Sequence, residues 1–471
     1  MASAELVRRR EVSPLELVDA AIARIERLNP QLNAVITKRF ERARAEAAAP
    51  TLPHGPFRGV PFLLKDLFCH SAGDPYHAGM RLLRDRQWVA QYDTFLAAKY
   101  RAAGFIFLGK TNVPELGPMP TTEPAAYGPT RNPWNLEYSA GGSSGGSGAA
   151  VAAGMVPAAH GNDGGGSIRI PSSVCGLVGL KPSRGRNSLG PDVGESWAGA
   201  VAEHVLTRSV RDTAAILDAT CGSMPGDPYI APPPARPFHR EVGADPGRLR
   251  VGLLRHVPGQ LIPLHPECAA AAHDAARLLE TLGHVVTESY PDALDEIDFA
   301  LHFAAIVTSW THRDLEHWEA QLGHHISADD VEPYTWALAE MGREVSAAAY
   351  IKSLMWLHAY TRRLSAWWHN GYDLLLTPTM AEPPVRLGWL RSTREDPTLG
   401  FLRATPLVAY TGPFNVSGQP AISLPLHWTP NGLPVGVQLV AGYGREDLLL
   451  RVAAQLEHAR PWAERRPPVA A

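Results

Sequence analysis

The chain is poor in cysteine and in lysine, and it has no excess of either charge. Four cysteines in 471 residues (Cys69, Cys175, Cys221 and Cys268) are too few and too scattered for a disulfide framework. None stand at C-x-x-C spacing, so they predict no zinc site. Acidic and basic residues nearly cancel, 47 against 44, for a net charge of −3. A nucleic-acid binder needs a basic stripe, and none is evident. The longest small, uncharged apolar stretch, residues 149–159, is too short to span a bilayer and contains Gly and Pro. The first residues, MASAELVRRREVSPLELVDAA, carry charges throughout and lack the apolar segment of a secretion signal. The expectation is a cytoplasmic protein with neither nucleic acid nor membrane as partner.

Hydrophobic residues make up 45% of the chain and charged residues 19%, which is ample for a large core. The length allows two or three domains, or one large α/β domain. Ser13-Pro-Leu-Glu reads as a capping box opening a helix that ends near Asn29-Pro30. Residues 33–49 read as a second helix. Gly59-Val-Pro-Phe-Leu-Leu is a strand-length apolar run leading into Lys65-Asp66. Residues 93–103 read as helix and Phe105-Ile-Phe-Leu as strand. This alternation predicts an α/β fold with a largely buried sheet. Residues 223–247, rich in Pro and Gly, read as a surface connection. Residues 250–254, 266–282 and 284–288 form a plausible βαβ unit. Residues 295–370 read as several helices and hold six of the twelve Trp. Strands at 372–376, 421–426 and 435–440 follow, then a helix over 445–458.

Lysine is scarce enough to be informative. There are six, Lys38, Lys65, Lys99, Lys110, Lys181 and Lys352, within the 44 basic residues. Arg keeps its proton in a protein, whereas a desolvated Lys can give it up. A lysine that follows a buried strand, as Lys65 does, has its pKa lowered and becomes a candidate base. Candidate nucleophiles lie where glycine is dense: 14 of the 50 residues from Gly141 to Gly190 are Gly. Glycines before a serine offer free N–H groups and no side chain to block an approaching carbonyl. Gly164-Gly165-Gly166-Ser167 offers both, which makes Ser167 the candidate nucleophile. Serine–lysine pairs are a known variant of triad logic.

The motifs Gly59-Val-Pro-Phe-Leu-Leu-Lys65-Asp66, Leu108-Gly-Lys-Thr-Asn, Gly142-Ser-Ser-Gly-Gly-Ser, His160-Gly-Asn-Asp-Gly-Gly-Gly-Ser-Ile-Arg-Ile-Pro and Cys175-Gly-Leu-Val-Gly-Leu-Lys-Pro stand in one order over residues 55–190. In type and order they closely resemble the amidase signature family, as does Pro413-Phe-Asn-Val-Ser-Gly-Gln-Pro-Ala-Ile-Ser-Leu-Pro. The resemblance implies a large central mixed β-sheet covered by helices on both faces, in a single domain over 1–471. Within it, residues 1–50 supply N-terminal helices, 55–190 the catalytic core and 295–400 a variable helical region around the substrate. It also implies a Ser–cisSer–Lys triad: Lys65 as base, Ser167 as nucleophile and Ser143 as the bridging serine after a cis peptide. Gly164, Gly165, Gly166 and Ser167 are the implied oxyanion hole. The implied activity is hydrolysis of carboxamide C–N bonds through an acyl-enzyme, with a small-molecule amide as partner and no cofactor or metal. The oligomeric state stays open, with a homodimer as one option. Thr121-Thr-Glu-Pro, Thr130-Arg-Asn-Pro-Trp-Asn-Leu, His160-Gly-Asn-Asp and Ala441-Gly-Tyr-Gly-Arg-Glu-Asp resemble the branch that acts on the cyclic dimer of 6-aminohexanoate. That branch carries a cysteine where this chain has Val307.

Other readings compete. Gly142-Ser-Ser144-Gly-Gly146 fits the G-x-S-x-G elbow of α/β-hydrolases, without an evident His and Asp to complete it. No G-x-x-x-x-G-K-[ST] is present, so the glycines are not a phosphate loop. Asp163 and Arg169 read as a buried ion pair shaping the loop, Lys110 and Lys181 as structural, and Cys175 as a core residue. The Trp-rich stretch reads first as helix packing and second as the wall of an apolar channel. Within the same family, the amidase subunit of tRNA-dependent amidotransferases and the carbamate and aryl-acylamide hydrolases are the alternative functions. A catalytically dead scaffold is the remaining one.

Overall fold

A computed structural model describes residues 1–471. Eleven strands form one sheet, in the order Val35–Lys38, Ile106–Thr111, Pro61–Lys65, Ala158–Asp163, Ala202–Thr207, Val178–Lys181, Ala421–Trp428, Pro434–Ala441, Leu374–Pro378, Arg250–Leu253 and Val285–Glu288. Pro61–Lys65 runs parallel to both of its neighbours, and Arg250–Leu253 does the same near the other edge. The strands between them pair antiparallel, so the sheet is mixed.

Side-chain alternation shows that both faces are covered. Leu63, Ile106 and Leu108 pack with Ile22, Ile25 and Leu28 of the helix Pro14–Leu32. Phe62, Leu64 and Phe107 point the other way, onto Leu96 and Tyr100 of the helix Phe95–Ala102. Successive residues of a strand face opposite sides, so runs apolar at every position must be covered twice. The far half repeats this. Leu374, Leu376 and Leu439 meet the helices Pro266–Thr281 and Glu446–Ala459, while Leu375 and Val440 meet Asp298–Leu322 and Ala347–His369. No helix is long and apolar enough to cross a membrane.

Two helical expectations need correction. The capping box at Ser13 is formed, but its helix runs through Pro30 to Leu32 and ends on Asn33 in the left-handed conformation. Residues 33–49 are not one helix. Val35-Ile-Thr-Lys is an edge strand, in keeping with its β-branched residues, and the helix begins at Phe40. The βαβ unit is present, with Arg250–Leu253 and Val285–Glu288 paired in parallel around Pro266–Thr281.

Residues 295–370 form the helices Asp298–Leu322, Pro333–Arg343 and Ala347–His369. The first two approach so closely at Gly342 that an added Cβ would lie 2.1 Å from the Thr308 carbonyl oxygen. The Gly342→Ala substitution is therefore expected to cost about 1–3 kcal/mol by overpacking, measurable as a lowered midpoint in denaturant melts.

Candidate active site

Lys65 ends its strand, and Asn162 and Asp163 end the parallel neighbour, so all three emerge at the carboxyl edge of the sheet. In open α/β sheets ligands bind in the crevice outside that edge. The Gly-Ser cluster reaches the same place by a tight path. A Cβ on Gly142 would lie 2.4 Å from Thr121 backbone atoms, so only glycine lets the chain pass. The Gly142–Ser143 peptide is cis, as the resemblance implies. Thr122 Oγ1 then accepts from Gly145 N–H and donates to the Gly141 carbonyl, pinning the start of the helix Gly145–Ala152.

Lys65 is fully buried, and its Nζ lies 2.7 Å from Ser143 Oγ and 2.5 Å from Asn162 Oδ1. Burial drives its pKa well below the usual lysine value, against the opposing pull of the Asp163 and Glu203 carboxylates. Ser143 is 1% exposed, whereas Ser167 is half-buried, and both line one cavity. The Lys65–Ser143 contact is formed, and the Ser167 hydroxyl stands free of protein hydrogen-bond partners. Catalytic hydrogen bonds often tighten only once substrate is bound.

The other serines of the first cluster are structural. Ser144 Oγ donates to the Asn162 carbonyl, and Ser147 Oγ to the His160 carbonyl. With Ser144 fully buried and bonded to the backbone, the G-x-S-x-G elbow falls away. Lys110 and Lys181 are also structural: each buried amine donates to a main-chain carbonyl, of Cys69 and Pro182 respectively. Cys175 is a core residue.

The loop Gly164–Ser167 is shaped by Asp163. Its carboxylate accepts from the N–H groups of Gly166, Ile168 and Arg169, and from the Arg169 guanidinium at 2.8 and 2.9 Å, with both side chains fully buried. Burial would raise the Asp163 pKa, but Arg169 and the Asn415 amide outweigh it and hold the group far below the carboxylate range. One implied oxyanion donor is thereby corrected. Gly166 N–H is committed to Asp163 Oδ1 at 2.7 Å, which leaves the N–H groups of Gly164, Gly165 and Ser167. Gly166 serves through its shape instead, with φ at +138° and no room for a Cβ between Thr411 and Ile170.

Sequence reasoning passed over Asn162 and Asn415. Asn415 sits in the C-terminal motif noted above. Its amide donates to the Asp163 carbonyl and carboxylate, and its Oδ1 accepts from Arg169. Arg169 continues to the Thr411 carbonyl and to Gln438 Oε1.

The cavity holds about 330 Å³. Leu67, Trp88, Leu116, Trp197 and Trp318 give it apolar walls, while Asp192, His70 and Tyr92 form a polar cluster. Of segment 295–400, only residues within 313–321 line it. Trp318 is the one lining ring among the six Trp of that stretch; Trp356, Trp367 and Trp368 pack among helices. Val307 is buried within its helix and does not line the cavity. Phe68, Leu116 and Trp197 hold positive φ values of 64°, 52° and 53° while lining it. Such backbone costs of order 1–3 kcal/mol each and concentrates at functional sites.

The fold sets a buried serine–lysine pair beside a cavity, and its relatives are hydrolases of C–N bonds. The model of the Amidase family matches residues 16–450, and the chain belongs to that family. It is 48% identical over 473 residues to the 6-aminohexanoate-cyclic-dimer hydrolase of Paenarthrobacter ureafaciens, covering 99% of this chain and 95% of that enzyme. A solved structure of 6-aminohexanoate cyclic dimer hydrolase complexed with substrate superposes with a TM-score of 0.96 at 47% identity, over 100% of this chain and 98% of that one. A bacterial aryl acylamidase of the amidase signature family gives 0.87 at 28% identity, over 98% and 96%.

The Asp163–Arg169 pair yields a prediction. Arg169→Met leaves a buried carboxylate without its countercharge, which costs about 3–5 kcal/mol. Thermal melts should show that loss, with activity lost in whatever fraction stays folded.

Proposed function

We propose that the protein hydrolyses carboxamide C–N bonds through an acyl-enzyme, with Ser167 as nucleophile, Ser143 as relay and neutral Lys65 as base. The observation that carries this reading is the fully buried amine 2.7 Å from Ser143 Oγ. An amine without water around it favours its neutral form and can accept a proton. Lys65 takes the Ser143 proton while Ser143 takes that of Ser167, and Ser167 Oγ attacks the carbonyl carbon. The oxyanion that forms meets the N–H groups of Gly164, Gly165 and Ser167. These donors are fixed in advance, so their stabilisation costs no reorganisation during reaction. The relay then returns a proton to the leaving nitrogen, and water releases the acyl group from Ser167.

The apolar walls suit an aliphatic acyl chain. Together with the high identity to enzymes named for the 6-aminohexanoate cyclic dimer, this favours amides of ω-amino acids, cyclic or linear, as substrates.

Ser167→Ala and Lys65→Ala should each lower kcat by roughly 10⁴–10⁶-fold, because members of such a unit fail together. The assay is hydrolysis of the cyclic aminohexanoate dimer beside a chromogenic anilide; turnover retained by either variant contradicts the assignment. The sign of the pH dependence follows from burial. Activity requires the neutral amine, so kcat/KM should rise with pH through the lowered Lys65 pKa and level off well below 10.5.

A further inference from the structure

An amide oxygen can only accept hydrogen bonds, and an amide nitrogen can only donate them. Asn162 uses both ends on fixed partners. Its Nδ2 donates to the Leu67 carbonyl at 3.2 Å, so its Oδ1 must be the atom that faces Lys65, 2.5 Å from Nζ. Asn162 is 3% exposed and its Nδ2 is anchored on a main-chain carbonyl, which leaves the side chain one orientation. A neutral amine has two hydrogens and one lone pair. Oδ1 can take only a hydrogen, so the contact to Asn162 consumes one N–H. Rotation about the Cε–Nζ bond is then fixed, and Ser143 Oγ stands at one of the two remaining positions.

We propose that Asn162 is a positioning residue: by holding one N–H of neutral Lys65, it turns the amine lone pair toward the Ser143 hydroxyl hydrogen. This rests on the reading of Lys65 as the base. In the acylation step no new group is required. The Ser143 O–H bond breaks as Nζ–H forms, the Ser167 O–H bond breaks as a new Ser143 O–H forms, and the freed Ser167 pair makes the Oγ–C bond while the carbonyl π pair moves onto oxygen. As that pair returns, the C–N bond breaks and the relay hands its proton to the leaving nitrogen. The Nζ–H···Oδ1 bond persists throughout and strengthens as the amine becomes ammonium, since charge-assisted bonds are the stronger kind.

Other groups around Lys65 act on its charge but not on its direction. From the Ala158–Asp163 strand, Asp163 is bound by Arg169, and His160 lies 3.2 Å from Glu203 of the Ala202–Thr207 strand. From Ile106–Thr111, Lys110 turns to the Cys69 carbonyl. The helix Gly145–Ala152 brings no charge. Ser143 and Asn162 are the two hydrogen-bond partners of Nζ.

The test is the pH profile of amide hydrolysis for the full chain and for Asn162→Ala and Asn162→Asp, beside Lys65→Ala and Ser167→Ala. Removing the acceptor has two expected effects. The plateau of kcat falls about tenfold to a hundredfold with KM little changed, less than the ~10²–10⁴-fold typical of general acid–base catalysis because the amine itself remains. The acid limb moves to lower pH, since the ammonium has lost a partner. Asn162→Asp, nearly the same shape, places a carboxylate beside the amine and should move that limb to higher pH. Opposite shifts in two folded variants, checked by circular dichroism, are what a merely structural role would not produce. If both variants keep the wild-type limb, or lose activity with no shift while folded, the positioning role is overturned. If Lys65→Ala or Ser167→Ala retains turnover, it is instead the underlying reading that fails. Should Asn162→Ala not fold, the direction of the Asn162→Asp shift alone decides.

Discussion

The rest of the site depends on an amine held out of water beside an aspartate that is already spent on other partners. Burial strips Lys65 of hydration and favours its neutral form, while Asp163 and Glu203 pull the other way. Asp163 would recharge the amine if its field were free. It is not free: its two oxygens serve the Arg169 guanidinium, the Asn415 amide and three main-chain N–H groups. Glu203 lies 3.2 Å from the His160 ring, whose pKa burial lowers, so that ring brings no countercharge. The larger pull, from Asp163, is therefore largely answered elsewhere, and burial outweighs what remains.

The same ion pair explains why a motif more than two hundred residues away belongs to the site. Arg169 reaches from the nucleophile loop to Thr411, Asn415 and Gln438. Asn415 returns a bond to the Asp163 carbonyl and another to that of Ala200. The loop that presents Ser167 is thus fixed by its own flanking strand and helix and by the C-terminal part of the chain. That rigidity is what preorganised oxyanion donors require. It also ties up the Gly166 N–H, which is used to hold the loop.

Much of this was legible in the residues. The runs at 61–65, 106–108, 374–376 and 435–440 are apolar at nearly every position, and they form central strands. The strands Ala158–Asp163 and Ala202–Thr207 escaped notice because Ala-Ala-His-Gly-Asn-Asp and Ala-Glu-His-Val-Leu-Thr carry polar residues that only tertiary partners satisfy. The edge strand at Val35 was hidden by the helical pattern on either side. Glycine spacing and the apolar flank of Lys65 pointed to the serines and the amine. Asn162 left no such sign, because its importance lies in two hydrogen bonds that form only when Leu67 and Lys65 are brought beside it. The substrate walls were least legible. They gather Trp88, Trp197 and Trp318 from three separate segments, and most of the Trp-rich stretch packs its own helices instead.

The charge state of Lys65 can be read directly. With only six lysines in the chain, ¹³Cε-labelled lysine gives a spectrum simple enough to titrate, and a Lys65→Met variant assigns the signal. The Lys65 resonance is expected at the position of a neutral amine throughout the pH range in which the enzyme turns over, moving to that of an ammonium as activity falls with acid. A Lys65 resonance that stays at the ammonium position while the enzyme is fully active would contradict the neutral base on which the chemistry depends.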